Sequence, residues 1–317
     1  MGLSNFPNGL TSFGSVVHGG QSPTLGREFH VRKTADAGYE RWKNDMEHTV
    51  RGGGNSVHTT IESAVAAADD FDTIWVYPGE WIPSGTLTID QKHLKVLAAD
   101  MGPNCGLSGT EIWQYYYGTN VPIFTLNGAN NVEIAGFRLI PYNSATGIGI
   151  SIGETTECKG TWIHDNILYA VETGTGPTHI RMGSSGVEAQ YTLIENNYIY
   201  CGGNTGGPSG MIDWVHATRS IIRNNNFMVQ SNSANMAGIY VIDEDYIRGH
   251  ILNNTFVAME QSLTGSASYA VLTAGALVGG DFCISGNETV NFTAPFSDVS
   301  IEALGINYMG DDAINAA

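Results

Sequence analysis

"IHDNILY" occupies residues 163–169, and its pattern returns as "IENNYIY" at 194–200, "IRNNNFM" at 222–228 and "ILNNTFV" at 251–257. Each copy has an isoleucine, an asparagine three residues later, and a large apolar residue two residues after that. A weaker copy ends in Thr289, and "IAGFRL" at 134–139 has Phe137 in place of the asparagine. From 137 to 287 the steps are 29, 31, 28, 29 and 33 residues, and a recurrence this regular indicates a repeat architecture. The aligned pairs are Ile163 and Asn166, Ile194 and Asn197, Ile222 and Asn225, Ile251 and Asn254, and Ile284 and Asn287.

The repeat predicts two short strands joined by a bend. Counting the aligned asparagine as position zero, positions −3 and +2 are large and apolar, whereas positions −5 and +4 are mostly small. This alternation is typical of strands with one buried face. We expect the asparagine to take the left-handed conformation at the bend, and its amide to bond with the same amide one turn away.

One strand–bend–strand turn per repeat, stacked on itself, predicts an all-β chain that forms a right-handed, single-stranded parallel β-helix. An antiparallel sandwich is the competing architecture. It would not stack like residues in register, so the recurring asparagine favours the β-helix.

The segment before the repeats predicts a short N-terminal capping helix. Thr59 followed by Glu62 is a capping box, and Ile61, Val65 and Ala68 form one apolar face. A solenoid exposes its core at its ends, so a helix at this place would cover the first turn.

The stretch "TTIESAVAAADDFDTIWVYPGEW" at 59–81, followed by "LTI" at 87–89 and "LKVLA" at 94–98, resembles the opening of pectate-lyase-like β-helix proteins. The resemblance covers roughly residues 57–290. It implies a capping helix, a strand, a Pro-Gly turn and then the first full coil. Lyases, hydrolases, epimerases and non-enzymatic viral fibres share this coil, so the resemblance implies no single activity.

Charge and composition divide the chain into three expected parts, namely an N-terminal arm over 1–51, the β-helix over 52–290 and a C-terminal cap over 291–317. Residues 1–51 have six basic and five acidic side chains, whereas residues 52–317 have eight and twenty-six. A coil this acidic repels phosphate backbones, which argues against nucleic acid as a partner.

Residues 1–27 are rich in Gly, Ser and Asn with scattered apolar residues, as expected for an arm that becomes ordered on contact. An arm of this kind before a β-helix is similar to the layout of tailed-phage virion proteins. That resemblance implies a place in the virion, with capsid or tail proteins as partners through residues 1–51. We expect no signal peptide and no membrane insertion, because no apolar stretch approaches the roughly 18 residues that a span needs.

One outer face of the predicted coil has residues suited to acid–base chemistry. A histidine between carboxylates could act as a general base, arginines could bind an anionic sugar, and two carboxyls roughly 5–10 Å apart would suit glycoside hydrolysis. A solvated, self-neutralising face explains the same residues. The family's catalytic motifs do not occur here, so no catalytic residue is carried over from it. The candidates are Glu157, Glu188, His216 and Asp245 at position −9, Tyr191, Arg219 and Arg248 at position −6, and Asp213 and Asp243 nearby.

Two apolar stripes follow the outside of the predicted coil. Exterior apolar stripes usually mark a partner surface, and identical coils around a threefold axis would bury one. A covering loop and an aromatic sugar-binding track are the competing explanations. The candidate interface residues are Trp162, Leu193 and Ile221 at position −4, and Tyr169, Tyr200 and Met228 at position +3.

We therefore expect a non-enzymatic virion surface protein, either a capsid decoration or a tail-spike-like protein, that forms a homotrimer and adheres to a host polysaccharide. A polysaccharide lyase or glycoside hydrolase acting on an outer face is the alternative, and a plain glycan-binding module using Tyr169 and Tyr200 is a third. We expect no cofactor and no metal, because metal-ligand spacings and nucleotide-binding motifs do not occur in the sequence.

Overall fold

Three parallel sheets, stacked turn on turn, make up the body of the protein. The structure is a computed structural model, and it describes residues 10–12, 15–17, 26–49, 55–100, 109–113, 121–141, 147–170, 178–203, 209–231, 236–242, 248–261, 269–274, 282–292 and 308–309. The two helices are α1 Tyr39–Thr49 and α2 Ile61–Ala67. The first strands are β1 Leu10–Ser12, β2 Ser15–Val17, β3 Glu28–Val31, β4 Val57–His58, β5 Thr73–Val76, β6 Gly79–Trp81, β7 Leu87–Ile89, β8 Lys95–Ala98, β9 Thr110–Trp113, β10 Phe124–Leu126, β11 Glu133–Ala135, β12 Arg138–Ile140, β13 Ile148–Ile152, β14 Cys158–Lys159 and β15 Trp162–His164. The remaining strands are β16 Ile167–Ala170, β17 Thr178–Met182, β18 Ala189–Gln190, β19 Leu193–Glu195, β20 Tyr198–Gly203, β21 Ser209–Trp214, β22 Ala217–Arg223, β23 Asn226–Ser231, β24 Met236–Val241, β25 Arg248–Leu252, β26 Thr255–Gln261, β27 Tyr269–Thr273, β28 Phe282–Ser285, β29 Glu288–Val290 and β30 Tyr308–Met309.

Successive strands of each turn go to different sheets. β15 belongs to the twelve-stranded sheet, β16 to the nine-stranded sheet and β17 to the seven-stranded sheet, and β19, β20 and β21 repeat that order one turn later. The strands pair in parallel with those of the turns before and after, as β15 does with β11 and β19. This arrangement confirms the predicted right-handed parallel β-helix. β1 and β2 form a separate antiparallel pair.

The isoleucines of the repeat form one continuous column inside the coil. All five are fully buried, and each pairs with the next in register. The column continues toward the N-terminus through Ile134, Val96, Ile74 and Phe29. The steps between these four are 38, 22 and 45 residues, so the repeat period could not reveal the first turns.

Part of the expected arm is packed on the coil. β3 lies in the twelve-stranded sheet between β4 and β5, although the sequence assigned residues 1–51 to the arm. Helix α1 lies against the same turns, where Trp42 contacts Tyr77 with ring centroids 4.9 Å apart and the Arg32 guanidinium lies 5.0 Å from the Trp42 ring. Burial in this cluster lowers the pKa of His30 to about 4. The exact division into 1–51, 52–290 and 291–317 stays a prediction, but the coil includes β3.

The capping helix begins one residue later than the sequence predicts. Thr60, not Thr59, is the N-cap, and its side chain accepts a hydrogen bond from the backbone N–H of Ser63 at 3.2 Å. Glu62 does not close a capping box. Its carboxylate accepts the N–H of Ser84 at 2.6 Å instead, which fastens the helix to the loop before β7. The apolar face is confirmed, because Ile61, Val65 and Ala68 are all buried.

The aligned asparagines form the predicted amide ladder. Asn166 donates its backbone N–H and its Nδ2–H to the Oδ1 of Asn197, at 3.0 and 3.1 Å. The ladder begins where the N–H of Phe137 donates to the Oδ1 of Asn166 at 3.0 Å. All five asparagines are 1% exposed or less, so every turn depends on its neighbour to satisfy a buried amide. The same pair of bonds joins Asn197 to Asn225, Asn225 to Asn254 and Asn254 to Asn287, at 2.9 to 3.0 Å.

The left-handed residue of each bend precedes the ladder asparagine, so the expectation that the ladder residue itself adopts this conformation is wrong. Position −1 has φ between 53° and 56° at Asp165, Asn196, Asn224 and Asn253. Gly136 and Gly286 occupy the same position in the turns at either end, with φ of 83° and 66°. The reason is that the ladder side chain must point inward, and the preceding residue makes the turn that allows this.

We predict that Asn225→Leu destabilises the protein by at least about 2 kcal/mol, because two donors of Asn197 lose their acceptor inside the coil. Urea denaturation gives the free energy of unfolding. Asn226→Leu is the matched control, since Asn226 is adjacent and exposed, and it should change stability by less than about 0.5 kcal/mol. Equal losses from both substitutions would contradict an energetic role for the ladder.

Candidate functional site

The outer corner formed by positions −9 to −6, hereafter the corner, lies at one edge of the twelve-stranded sheet. Glu157, Glu188 and His216 are on successive turns, as the sequence predicts, because Cys158 pairs with Ala189 and Ala189 with Ala217. The Glu188 carboxylate is bound by its own surroundings: the Thr218 hydroxyl and the Gln190 amide both donate to it. Glu157 pairs with Lys159 at 3.2 Å. These contacts favour a self-neutralised face over a histidine flanked by two available bases.

At position −6 the structure brings two of the three predicted residues together. The Arg219 guanidinium carbon lies 5.5 Å from the centroid of the Tyr191 ring, and Arg219 also donates to the Tyr191 hydroxyl oxygen. Both residues have left-handed backbones, with φ of 53° and 55°. Arg248 pairs with Thr218 instead of Arg219, because the left-handed Arg219 is an extra residue that shifts the register between β22 and β25. The predicted column therefore ends at Arg219.

Asp213 lies on a different sheet from the corner. It belongs to β21 of the seven-stranded sheet, where it is buried and accepts hydrogen bonds from the Thr178 hydroxyl at 2.9 Å and the Gly210 N–H at 3.1 Å. Arg181 contacts the same carboxylate at 3.3 Å. Burial raises the pKa of Asp213 despite these partners. Its proposed companions Asp243 and Asp245 lie outside the described residues.

A charged network that sequence reasoning missed crosses the outer face of the twelve-stranded sheet. His164 contacts the carboxylates of Glu133 at 3.1 Å and Asp165 at 2.7 Å, and Lys95 binds Glu133 at 2.6 Å. Burial works to lower the pKa of His164, but the two carboxylates outweigh it and raise that pKa. Burial likewise works to raise the pKa of Glu133, and His164 and Lys95 lower it. Glu133 is at position −4 of its turn and His164 is at position −2 of the next turn. A comparison of these two positions on adjacent turns would have predicted the contact.

Trp162 links that network to the next turns. Its indole stacks on the His164 ring with centroids 3.9 Å apart, and its Nε1–H donates to Glu195 at 3.0 Å. Glu195 in turn pairs with Arg223 at 2.6 Å. The indole is 37% exposed, so these contacts fix the orientation of an aromatic group at the surface. Leu193 and Ile221 follow Trp162 in register and are partly exposed, as the predicted stripe requires.

The second predicted stripe lies on the nine-stranded sheet, across the bend from the first. Tyr169, Tyr200 and Met228 are in register there. The two tyrosine rings stack at 4.9 Å and 12°, and the Arg138 guanidinium lies 5.2 Å from the Tyr169 ring. Tyr169 therefore has a neighbour on each face, which disfavours it as a platform for a sugar. Homotrimer contact through either stripe stays a prediction.

Comparisons with known proteins agree with the architecture. No protein-family model matches the chain, and no curated protein matches it by sequence. Among solved structures it is similar to a pectin methylesterase in complex with a hexasaccharide, at 9% identity and a TM-score of 0.52, covering 85% of this chain and 80% of the esterase. The chain is a parallel β-helix protein. At this identity the likeness shows the fold alone.

Two viral proteins show weaker similarity. ORF18 of Geobacillus virus E2 has 12% identity and a TM-score of 0.46, covering 75% of this chain and 53% of that one. The tailspike of E. coli bacteriophage HK620, solved with a pentasaccharide, has 11% identity and a TM-score of 0.42, covering 78% and 49%. Within the described residues, neither helix has the length and apolar composition to cross a membrane.

We predict that the stabilising effect of His164 depends on pH. Because the folded-state pKa is raised, the stabilisation is fully present below the unfolded value near 6.5 and is lost as pH rises through the folded value. The difference in unfolding free energy between the wild type and His164→Gln should therefore be larger at about pH 5.5 than at about pH 9. His93→Gln is the control, since the His93 ring stacks on Phe71. A pH-independent difference for His164→Gln would refute the role of the carboxylates.

Proposed function

We propose that this chain is a surface protein of a tailed-phage particle, attached through its N-terminal segment, whose β-helix adheres to a host-surface glycan without cleaving it. Capsid decoration and a tail-spike-like position both fit this role. The proposal joins the arm-then-coil layout of the sequence to the chemistry of the outer faces of the coil.

One observation supports glycan adhesion most directly. Among the described residues, three of the four exposed aromatic side chains lie on two adjacent turns, where Trp162, Tyr191 and Tyr198 are 37%, 47% and 39% exposed; the fourth is Phe71. Aromatic groups combine an apolar face with a polar tip, which suits the alternating apolar and hydroxyl surfaces of a sugar. An acidic coil also remains soluble while it projects such groups.

A polysaccharide depolymerase is the second candidate, and Asp213 favours it. Burial keeps the pKa of this carboxyl raised, as a general acid requires, and Arg181 lies beside it. A hydrolase of the usual kind needs a second carboxyl roughly 5–10 Å away. Thr178 and Gly210 bind the Asp213 carboxylate and give it a structural explanation too, so we place adhesion first.

A panel of acidic and neutral polysaccharides distinguishes the two candidates. We expect the purified protein to retain at least one polysaccharide and to release no new reducing or unsaturated ends, because the corner carboxylates and Asp213 are already bound by neighbouring groups. Release of such ends by the wild type, abolished in Asp213→Asn, would replace adhesion with depolymerase activity.

Attachment is tested by a deletion whose boundary the structure sets. Arg27 binds Asp69 at 2.6 Å and Asp72 at 3.0 Å, so it belongs to the coil and should be kept. We expect deletion of residues 2–25 to leave a folded β-helix that is absent from purified particles. Circular dichroism reports the fold, and quantitative immunoblotting of particles reports the copy number. Incorporation at the wild-type copy number would disprove attachment through this segment.

A further inference from the structure

Gly160 lies at the corner between two exposed aromatic side chains. It precedes Trp162 by two residues on the same turn, and it is in register with Tyr191 on the next turn, because Lys159 pairs with Gln190. Its N–H donates to the Gln190 carbonyl at 2.9 Å. Adjacent strands are about 4.8 Å apart, and Gly160 lies at the left-handed bend between β14 and β15. The two rings therefore border a notch, hereafter the Gly160 notch, whose floor is the Gly160 backbone.

Each of these rings has one face occupied and the other turned toward the notch. The imidazole of His164 covers one side of the Trp162 indole, so its opposite side is directed along the strand toward Gly160. The guanidinium of Arg219 covers one side of the Tyr191 ring. The in-register neighbour on the opposite side of Tyr191 is Gly160, which has no side chain to cover it.

The floor of the notch has a polar group as well. The Oδ1 of Asn131, one turn earlier, lies 2.2 Å from the position that a Cβ at residue 160 would occupy. A residue larger than glycine would therefore collide with this amide, and the φ of +70° at Gly160 also favours glycine. Two apolar faces with a convergent amide are the elements of a small-ligand subsite.

Charge indicates the class of ligand. Among the coil arginines whose side chains the structure describes, Arg219 is the one with no described carboxylate within 4 Å, in a chain of net charge −17. Its guanidinium lies on the side of the Tyr191 ring that is turned away from Gly160, and it donates to the Tyr191 hydroxyl oxygen. The paired arginines are Arg27 with Asp69 and Asp72, Arg32 with Asp36, Arg138 with Glu111, Arg181 with Asp213, and Arg223 with Glu195.

We propose that the Gly160 notch binds one sugar ring of an acidic glycan, between Trp162 and Tyr191, with Arg219 binding a carboxylate of that glycan. This assignment rests on the proposed adhesion function and adds its site and its ligand class. Arg219 has no ion pair with a described residue, so the carboxylate of the glycan supplies its partner. The sugar ring covers the two open aromatic faces.

This site is tested by binding to three immobilised hexasaccharides: a hexamer of galacturonic acid, a hexamer of sialic acid, and the neutral glucose hexamer maltohexaose. Tyr191→Asn is the central variant, because asparagine adopts the left-handed conformation readily and the fold should be as stable as the wild type or more so. We expect Tyr191→Asn and Trp162→Ala each to weaken binding of an acidic hexamer at least about tenfold, a loss of about 1.4 kcal/mol. Arg219→Asn should remove the preference for acidic over neutral hexamers.

Tyr198→Ala is the matched control, because Tyr198 is similarly exposed but lies on the nine-stranded sheet. It should leave binding within about twofold of the wild type. If the wild type binds acidic hexamers and the notch variants bind them equally well, the notch is wrong while adhesion stands. If the wild type binds neither acidic hexamer but retains a neutral hexamer or a neutral polysaccharide of the panel, the notch is wrong while adhesion stands; retention of no hexamer and no polysaccharide refutes both. Loss of binding only in Tyr198→Ala would move the site to the other sheet.

Discussion

A buried asparagine amide has two donors and an acceptor to satisfy, and inside this coil the acceptor that the next turn supplies is another asparagine in the same register. That requirement holds the turns together. From Asn197 onward, each Oδ1 accepts both the backbone N–H and the Nδ2–H of the preceding ladder asparagine, as in Asn166 and Asn197. A slip of one residue would leave these groups unpaired in an apolar core, at a cost of about 1–3 kcal/mol for each group. Hydrophobic burial fills the coil, and the ladder fixes its register.

A fixed register decides which side chains meet on the outside. Because the turns cannot slide, the outward positions form columns about 4.8 Å apart, and their chemistry is set by what the sequence places at each step. The ion pairs of Lys95, Glu133 and His164 arise in this way, as does the contact between Tyr191 and Arg219. Where one extra residue enters, at Arg219, the column stops.

The repeat made the fold predictable from the sequence, whereas the contacts on the outer surface were much less predictable. Ile163, Asn166 and their counterparts recur because each faces the same buried environment, so their periodicity predicts the architecture directly. The bend was assigned one residue late because Asp165 and Asn196 are as compatible with a left-handed backbone as the ladder asparagines beside them. The strand Glu28–Val31 was missed because the first turns have uneven lengths.

The contacts of the surface residues depend on geometry that no single column reveals. His164 and Glu133 are at different positions of different turns, so a search within one column cannot pair them. Arg248 has the spacing of the Arg219 column but is moved by a bulge. The sequence identified Asp213 as a candidate acid. Its burial and its three hydrogen-bond donors, however, follow from the packing of the seven-stranded sheet.

The amide ladder also has a direction. Every side-chain carbonyl from Asn166 to Asn287 accepts from the turn before it, so these five amide dipoles point the same way along the axis of the coil. Aligned hydrogen bonds polarise one another, and each link is strengthened by the links on both sides. The inner links, from Asn166 to Asn254, are therefore held more firmly than the outer links to Phe137 and Asn287, so the ladder should fray from its two ends.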